Sequence, residues 1–251
     1  MSPTGDSDLA KIFMDIVYTR RSVRRYKPEK IPLDHIRIIM EAAQRAPTDA
    51  ALHLWTAIHV RDDEKKRRIA ELTGQKHIDE GSDFFLFIAD LYRLKKLLEY
   101  RGEEMGDVDH ALLLFAAIDA GLAAENMALA AVSLGYGTCF IGAIHNATEE
   151  IIELLKLPKK TYPLFGLVVG VPDEEPPLRP RLPLEMLFHS EEYHDYSEDM
   201  LDEGYKAMAP ITRRGDYLRL LKRYVGREGY FVIRNKELPR LLEKMGFKIN
   251  P

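Results

Sequence analysis

Between Arg20 and Arg25 the chain sets four guanidinium groups around one hydroxyl, in the order Arg20, Arg21, Ser22, Val23, Arg24, Arg25. Arginine presents a planar fork that meets a phosphate through two hydrogen bonds, and serine adds a neutral donor. The pattern suits an anion site. It equally suits a solvated basic loop at the C-terminal end of a helix, where cations are favoured. A second pair, Arg179 and Arg181, flanks Pro180, whose ring restricts the backbone between them. Together the two segments can close one phosphate site from distant parts of the chain. The run Gly135 to Gly142 (GYGTCFIG) lacks the GxGxxG spacing of a dinucleotide loop, and no GxxxxGK[ST] loop occurs. Its glycines either admit main-chain N–H groups to a flat ligand or stop a helix and turn the chain. The eight histidines are scattered without metal-ligand spacing, and no nucleophile elbow is present. Asp119 and Glu125 read as capping or pairing residues before catalytic ones, and Trp55 as core.

The elements that must hold these groups follow from periodicity. Leu9, Ile12, Phe13, Ile16 and Val17 give an amphipathic helix ending near Thr19. A second helix runs from about Pro32 to Arg45 and is stopped by Pro47. Further helices are expected over Asp62 to Leu72, with Gly74 as its stop, and over Leu91 to Tyr100. Thr56 to Val60, Phe84 to Ala89, Thr138 to Ile141 and Leu164 to Val171 read as strands. Ala111 to Leu134 is long enough to span a bilayer but carries Asp119, Glu125 and Asn126, so it reads as a core helix buried on nearly all sides. Asn146 with Glu149 resembles a capping box opening a helix that ends before Pro158. Four prolines between Asp173 and Pro183 break the pattern, and helices are expected at Ser197 to Met208, Asp216 to Val225 and Lys236 to Met245. Helices alternating with a few short strands make an α+β fold.

Composition narrows the function. The 251 residues are 46% hydrophobic and 30% charged, enough apolar content for a folded core. Lys and Arg total 36 against 40 Asp and Glu, a net charge of −4 that argues against a general nucleic-acid or anionic-membrane binder. The single cysteine, Cys139, forms no intrachain disulfide and suits a reducing, cytoplasmic setting. Residues 1–8 read as a flexible N-terminus without signal-peptide character. Glutamine occurs only at Gln44 and Gln75 while ionic residues abound, which leans toward a thermophile.

Six segments, in order, resemble the nitroreductase family of FMN-dependent oxidoreductases, within it the oxygen-insensitive NAD(P)H nitroreductase and NADPH–flavin oxidoreductase branch. They are RRSVRRY (Arg20 to Tyr26), RAPTDAALHLW (Arg45 to Trp55), LTGQKHI (Leu72 to Ile78), the stretch Ala124 to Asn146, YPLFGLVVGVP (Tyr162 to Pro172) and the stretch Leu178 to Tyr193. The resemblance implies a mixed β-sheet surrounded by helices and an interlocked homodimer. It makes residues 9–251 a single FMN-binding domain, with 187–251 as a helical extension or dimer arm. It implies Arg20, Arg21 and Ser22 near the FMN phosphate and ribityl chain, and Arg24 at the flavin N1–O2 edge. Gln75 is implied at the ring, and Gly142, Ala143 and Ile144 beneath it, with a backbone N–H toward N5. Arg179 and Arg181 are implied on the phosphate. The expected activity is ping-pong hydride transfer from NAD(P)H through FMN to nitroaromatics, quinones or free flavin. Reductive dehalogenation, flavin fragmentation and non-catalytic flavin binding are the alternatives. No metal, nucleic acid or membrane is expected. The chain departs from the family where Thr48, Asp49, Ala50, Ala51, Leu52 and His53 replace the usual Ser or Asn–Gln donors. Thr48 can still contact FMN. Arg213 and Arg214 are the tail candidates for a 2′-phosphate, leaving NADH and NADPH both open.

Overall fold

The computed structural model describes residues 8–248. The expected flexible N-terminus therefore lies outside the described residues, apart from Asp8, which opens the first helix. In chain order the elements are α1 (Asp8–Thr19), α2 (Leu33–Gln44), β1 (Trp55–Val60), α3 (Asp63–Thr73), α4 (His77–Glu80), β2 (Asp83–Asp90) and α5 (Tyr92–Tyr100). Then come α6 (Asp109–Ser133), β3 (Gly137–Ile141), α7 (Thr148–Leu154), β4 (Thr161–Gly170), α8 (Glu198–Met208), α9 (Tyr217–Val225) and α10 (Tyr230–Lys244). The chain forms two compact units. One holds the residues up to Pro176 and from Pro239 onward, the other Pro177–Leu238.

In the first unit four strands pair in the order β1-β2-β4-β3, antiparallel throughout. The expected mixed character enters only through one parallel bridge, Ser22 beside Thr138. β2 is buried along its whole length. Side chains alternate across a strand, so β2 supplies Phe84, Leu86 and Ile88 to one core and Phe85 and Phe87 to the other. The first core is closed by Ile69 of α3, Ile151 of α7, and Leu241, Leu242, Met245 and Phe247. The second is closed by Ile36, Ile39 and Ala43 of α2 and by Ala120, Ala123, Ala124 and Met127 of α6. The small alanine face lets α6 approach the sheet closely. A layer of helices on each face of a sheet is the arrangement that buries both.

Two expectations need correction. α6 is not buried on nearly all sides: Leu114, Phe115, Ile118 and Leu122 are exposed, because the alanine-lined face alone meets the sheet. Asn146 does not cap α7, which starts at Thr148 without a side-chain cap; its amide donates to the Thr73 carbonyl at 3.3 Å. The last helix also begins earlier than expected, at Tyr230, and continues through Pro239. In the second unit, Ser197 caps α8 and Asp216 caps α9 by accepting from the amides of Met200 and Arg219.

Residues 22–26 pass directly over two glycines. A Cβ at Gly137 falls 2.8–3.0 Å from the side chain of Val23, and one at Gly170 falls 2.6 Å from Cδ1 of Tyr26. Gly170→Ala is expected to lower stability by about 1–3 kcal/mol, the usual cost of overpacking. A chemical denaturation midpoint equal to wild type contradicts this packing.

Candidate functional site

The arginine segment is an extended strip anchored by three parts of the chain. The Val23 amide donates to the Thr138 carbonyl at 2.9 Å, and the Lys27 amide to Val171 at 2.9 Å. The Asp173 amide donates back to the Arg25 carbonyl at 3.0 Å. Between these bonds no strand carbonyl serves Arg24 and Arg25. Glu174 takes that place: its Oε1 accepts from the Arg24 amide at 2.6 Å and the Arg25 amide at 3.1 Å. The Tyr26 hydroxyl donates to the Val23 carbonyl at 2.7 Å. Burial, reinforced by Cys139, pushes that phenol well up, so it stays a donor.

Carboxylates then sort the four arginines. Arg20 Nε lies 3.8 Å from Glu125, Arg21 Nη1 lies 2.6 Å from Glu175, and Arg25 Nε lies 3.4 Å from Glu174. Of these four, Arg24 is the one with no carboxylate partner among the described residues; its Nη1 donates to the Ser22 carbonyl at 3.2 Å. Glu125 pairs here within the chain, where capping or pairing between subunits was the expectation. Arg20 and Arg21 line a cleft of about 230 Å³ with Val23, Tyr136, Glu174 and Glu175.

A second group of residues lies on the turn after β3 and at the junction of α3 and α4. Asn146 ties the turn of residues 142–147 to the end of α3, next to Gln75. Within that turn Gly142 is exposed, with open space where a Cβ would project, while Ile144 is fully buried in the core. His77, at the head of α4, is 7% exposed, and its Nε2 is buried without a hydrogen-bond partner. Burial, and then the Arg24 charge, push its imidazole down, against an opposing pull from Glu174. Two more buried polar atoms lack partners here, Nε of Arg21 and Oγ1 of Thr138. Buried polar groups are normally satisfied. Arg21 lies in the arginine segment and Thr138 is bridged to Ser22, so two of these atoms belong to the strip and its β3 neighbour.

Neither Glu174 nor His77 stood out in the sequence. Glu174 belongs to a short acidic run before the prolines, and His77 was one of eight scattered histidines. Thr48 has a different support. It precedes a turn in which Ala50, Ala51 and His53 take positive φ (45°, 58° and 51°), a left-handed conformation non-glycine residues seldom adopt. Asp119 of α6 holds that loop by accepting from the Asp49 amide at 3.0 Å and the Leu54 amide at 3.3 Å, so it acts as a cap. Arg179 and Arg181 belong to the second unit, where both are exposed and Arg181 Nη1 donates to the carbonyls of Arg179 and Pro180. A larger cleft, about 550 Å³, lies between α2 and β1 and is lined by Leu33, Ile36, Met40, Trp55 and His59. It holds none of the expected cofactor residues. Among the described residues no cluster of His, Cys, Asp and Glu suits a metal ion.

The nitroreductase family profile matches residues 17–171. An FMN reductase (NADPH) of Bacillus subtilis is 35% identical over 189 residues, covering 74% of this chain and 76% of its own. An FMN reductase [NAD(P)H] of the same organism is 36% identical over 241 residues, covering 91% and 95%. The solved structure of the hypothetical oxidoreductase YcnD from Bacillus subtilis superposes with a TM-score of 0.88 at 32% identity, covering 96% and 99%.

The depressed His77 imidazole has a sign that can be checked. Unfolded histidine titrates near ~6.5, above the folded value, so between the two the unfolded chain holds more protons. Stability should then fall as pH drops from 7 through about 6.5, and level off below the folded value. His77→Gln should flatten that slope in urea unfolding followed across pH. Parallel slopes for wild type and variant contradict the burial of this ring.

Proposed function

This chain belongs to the nitroreductase family, and on that premise we propose that it is an FMN-dependent NAD(P)H oxidoreductase whose reduced cofactor is stabilised by Arg24. FMN, when bound, would supply the two-electron chemistry that couples oxidation of NAD(P)H to reduction of a nitroaromatic, a quinone or free flavin. The observation that carries the site is the sorting of charge: three arginines are neutralised by Glu125, Glu175 and Glu174, and Arg24 is left unpaired. Its guanidinium is available to the N1–O2 edge, where reduction places negative charge. A fixed donor in that place is worth most because it needs no reorganisation during reaction.

The other residues bind and orient. Ser22 supplies a hydroxyl and Gln75 an amide. The turn of Gly142, Ala143 and Ile144 supplies main-chain N–H groups, with open space at Gly142 for a flat ring. Arg20 and Arg21 keep donors for the phosphate despite their ion pairs, and Thr48 adds a hydroxyl; Arg179 and Arg181 are assigned to the phosphate by the family resemblance alone. No protein acid or base is required. The single cysteine, Cys139, is buried, which suits a reducing cytoplasm. The ion-rich, glutamine-poor composition supports a heat-adapted source.

The purified protein should be yellow and bleach with NAD(P)H. Arg24→Ala should lower kcat/KM by about 10²–10³-fold and weaken FMN retention. A colourless protein that takes up no added FMN overturns the proposal.

The working unit is a homodimer with the helical extension as its arm. The support is the apolar face of α6, with Leu114 62% and Ile118 48% exposed, together with Leu9, Ile12 and Phe13 on α1. Exposed apolar patches of this kind mark interaction surfaces. The double variant Leu114→Glu, Ile118→Glu should sediment as a monomer in analytical ultracentrifugation. A wild type that is monomeric at micromolar concentration contradicts the dimer.

A further inference from the structure

We propose that Glu174 is the positioning residue of the site, clamping the backbone at Arg24 so that this guanidinium keeps a fixed direction. The inference rests on the flavin reading above for its redox part and on geometry alone for the clamp.

The amides of Arg24 and Arg25 lie in a gap between two pairing partners. Val23 bonds to β3 and Lys27 to the segment after β4, which also donates to the Arg25 carbonyl, but no main-chain carbonyl takes the amides of Arg24 and Arg25. One carboxylate oxygen, 150 residues further along the chain, fills the gap with bonds of 2.6 and 3.1 Å. Hydrogen bonds from backbone N–H to an ionised acceptor are roughly twice as strong as neutral ones. The second oxygen, Oε2, pairs with Arg25 Nε at 3.4 Å and draws that side chain away from its neighbour. Glu175, one residue on, does the same to Arg21 at 2.6 Å. Two adjacent glutamates thus immobilise the strip and occupy the competing cations, and Arg24 is left unpaired by either side chain. Glu174 is also felt electrostatically at His77, which places it within reach of the same polar group.

Glu174→Ala removes both acceptors, and Glu174→Gln keeps a carbonyl acceptor while removing the charge. Hydrogen exchange on the cofactor-free protein reads the clamp directly. The Arg24 and Arg25 amides should exchange at least tenfold faster in Glu174→Ala, with an intermediate rate in Glu174→Gln. On the FMN-loaded protein the two-electron midpoint potential separates positioning from charge. Loss of an anion by charge alone raises the potential of a nearby flavin, whereas misalignment of Arg24 lowers it. Glu174→Ala should therefore lower the potential, a tenfold loss of preference for reduced flavin reading as about 30 mV. Glu174→Gln should not lower it, and adding Glu174→Ala to Arg24→Ala should produce no further fall. Unchanged exchange at both amides, or a fall that adds to that of Arg24→Ala, overturns the proposal. If Glu174→Ala does not fold, a Glu174→Gln variant with wild-type exchange at both amides and a potential as low as that of Arg24→Ala overturns it too. A wild type that takes up no FMN overturns the function itself, and it is told apart because exchange is read on the protein alone.

Discussion

Eight consecutive residues of β2 lose their contact with water, so each face of the sheet has to be covered by helices, and that requirement organises the first unit. One face takes α3, α7 and the returning chain after Pro239, the other α2 and α6. Because α6 meets the sheet largely through alanines, the sheet and helix come close, and Leu114, Phe115, Ile118 and Leu122 are turned outward. The same burial requirement that builds the sheet therefore also leaves an apolar face on the single chain. A fold whose longest helix is apolar all round needs a cover on both sides.

The arginine strip adds a second constraint. Four like charges within six residues repel, and an extended strip off the end of a sheet lacks carbonyls for all its amides. Carboxylates remote in sequence answer both demands at once. Glu125 comes from α6, and Glu174 and Glu175 from the segment after β4. The outcome is asymmetric, since Arg20, Arg21 and Arg25 have ionic partners and Arg24 has none. Thr138 Oγ1 and His77 Nε2 are buried without partners. Close passage over Gly137 and Gly170 restricts the strip, because Val23 and Tyr26 sit where a side chain on either glycine would project.

Sequence periodicity marked most elements within a few residues. The second helix, the buried run at Phe84 to Ala89 and the long helix after Ala111 all form where apolar spacing put them. It failed where partners are remote. Asn146 had the spacing of a cap, yet its amide serves Thr73, because the chain near it runs in a tight turn instead of entering a helix directly. α6 had the composition of a fully buried helix, and only the layer packing showed which of its faces the sheet covers.

The sequence by itself determined the fold class, the presence of an arginine-rich anion segment and, by resemblance, the family and its cofactor. These depend on local spacing and on residue type, which a linear string carries in full. The tertiary structure alone decided which arginine stays unpaired and which glutamate supports it. It also buried the His77 ring, which pushes its imidazole down, and gave Asp119 the task of holding a strained loop. Those assignments depend on distances between groups as much as 154 residues apart. Electrostatic and hydrogen-bonding energies fall away within a few ångströms, so chain spacing cannot report them.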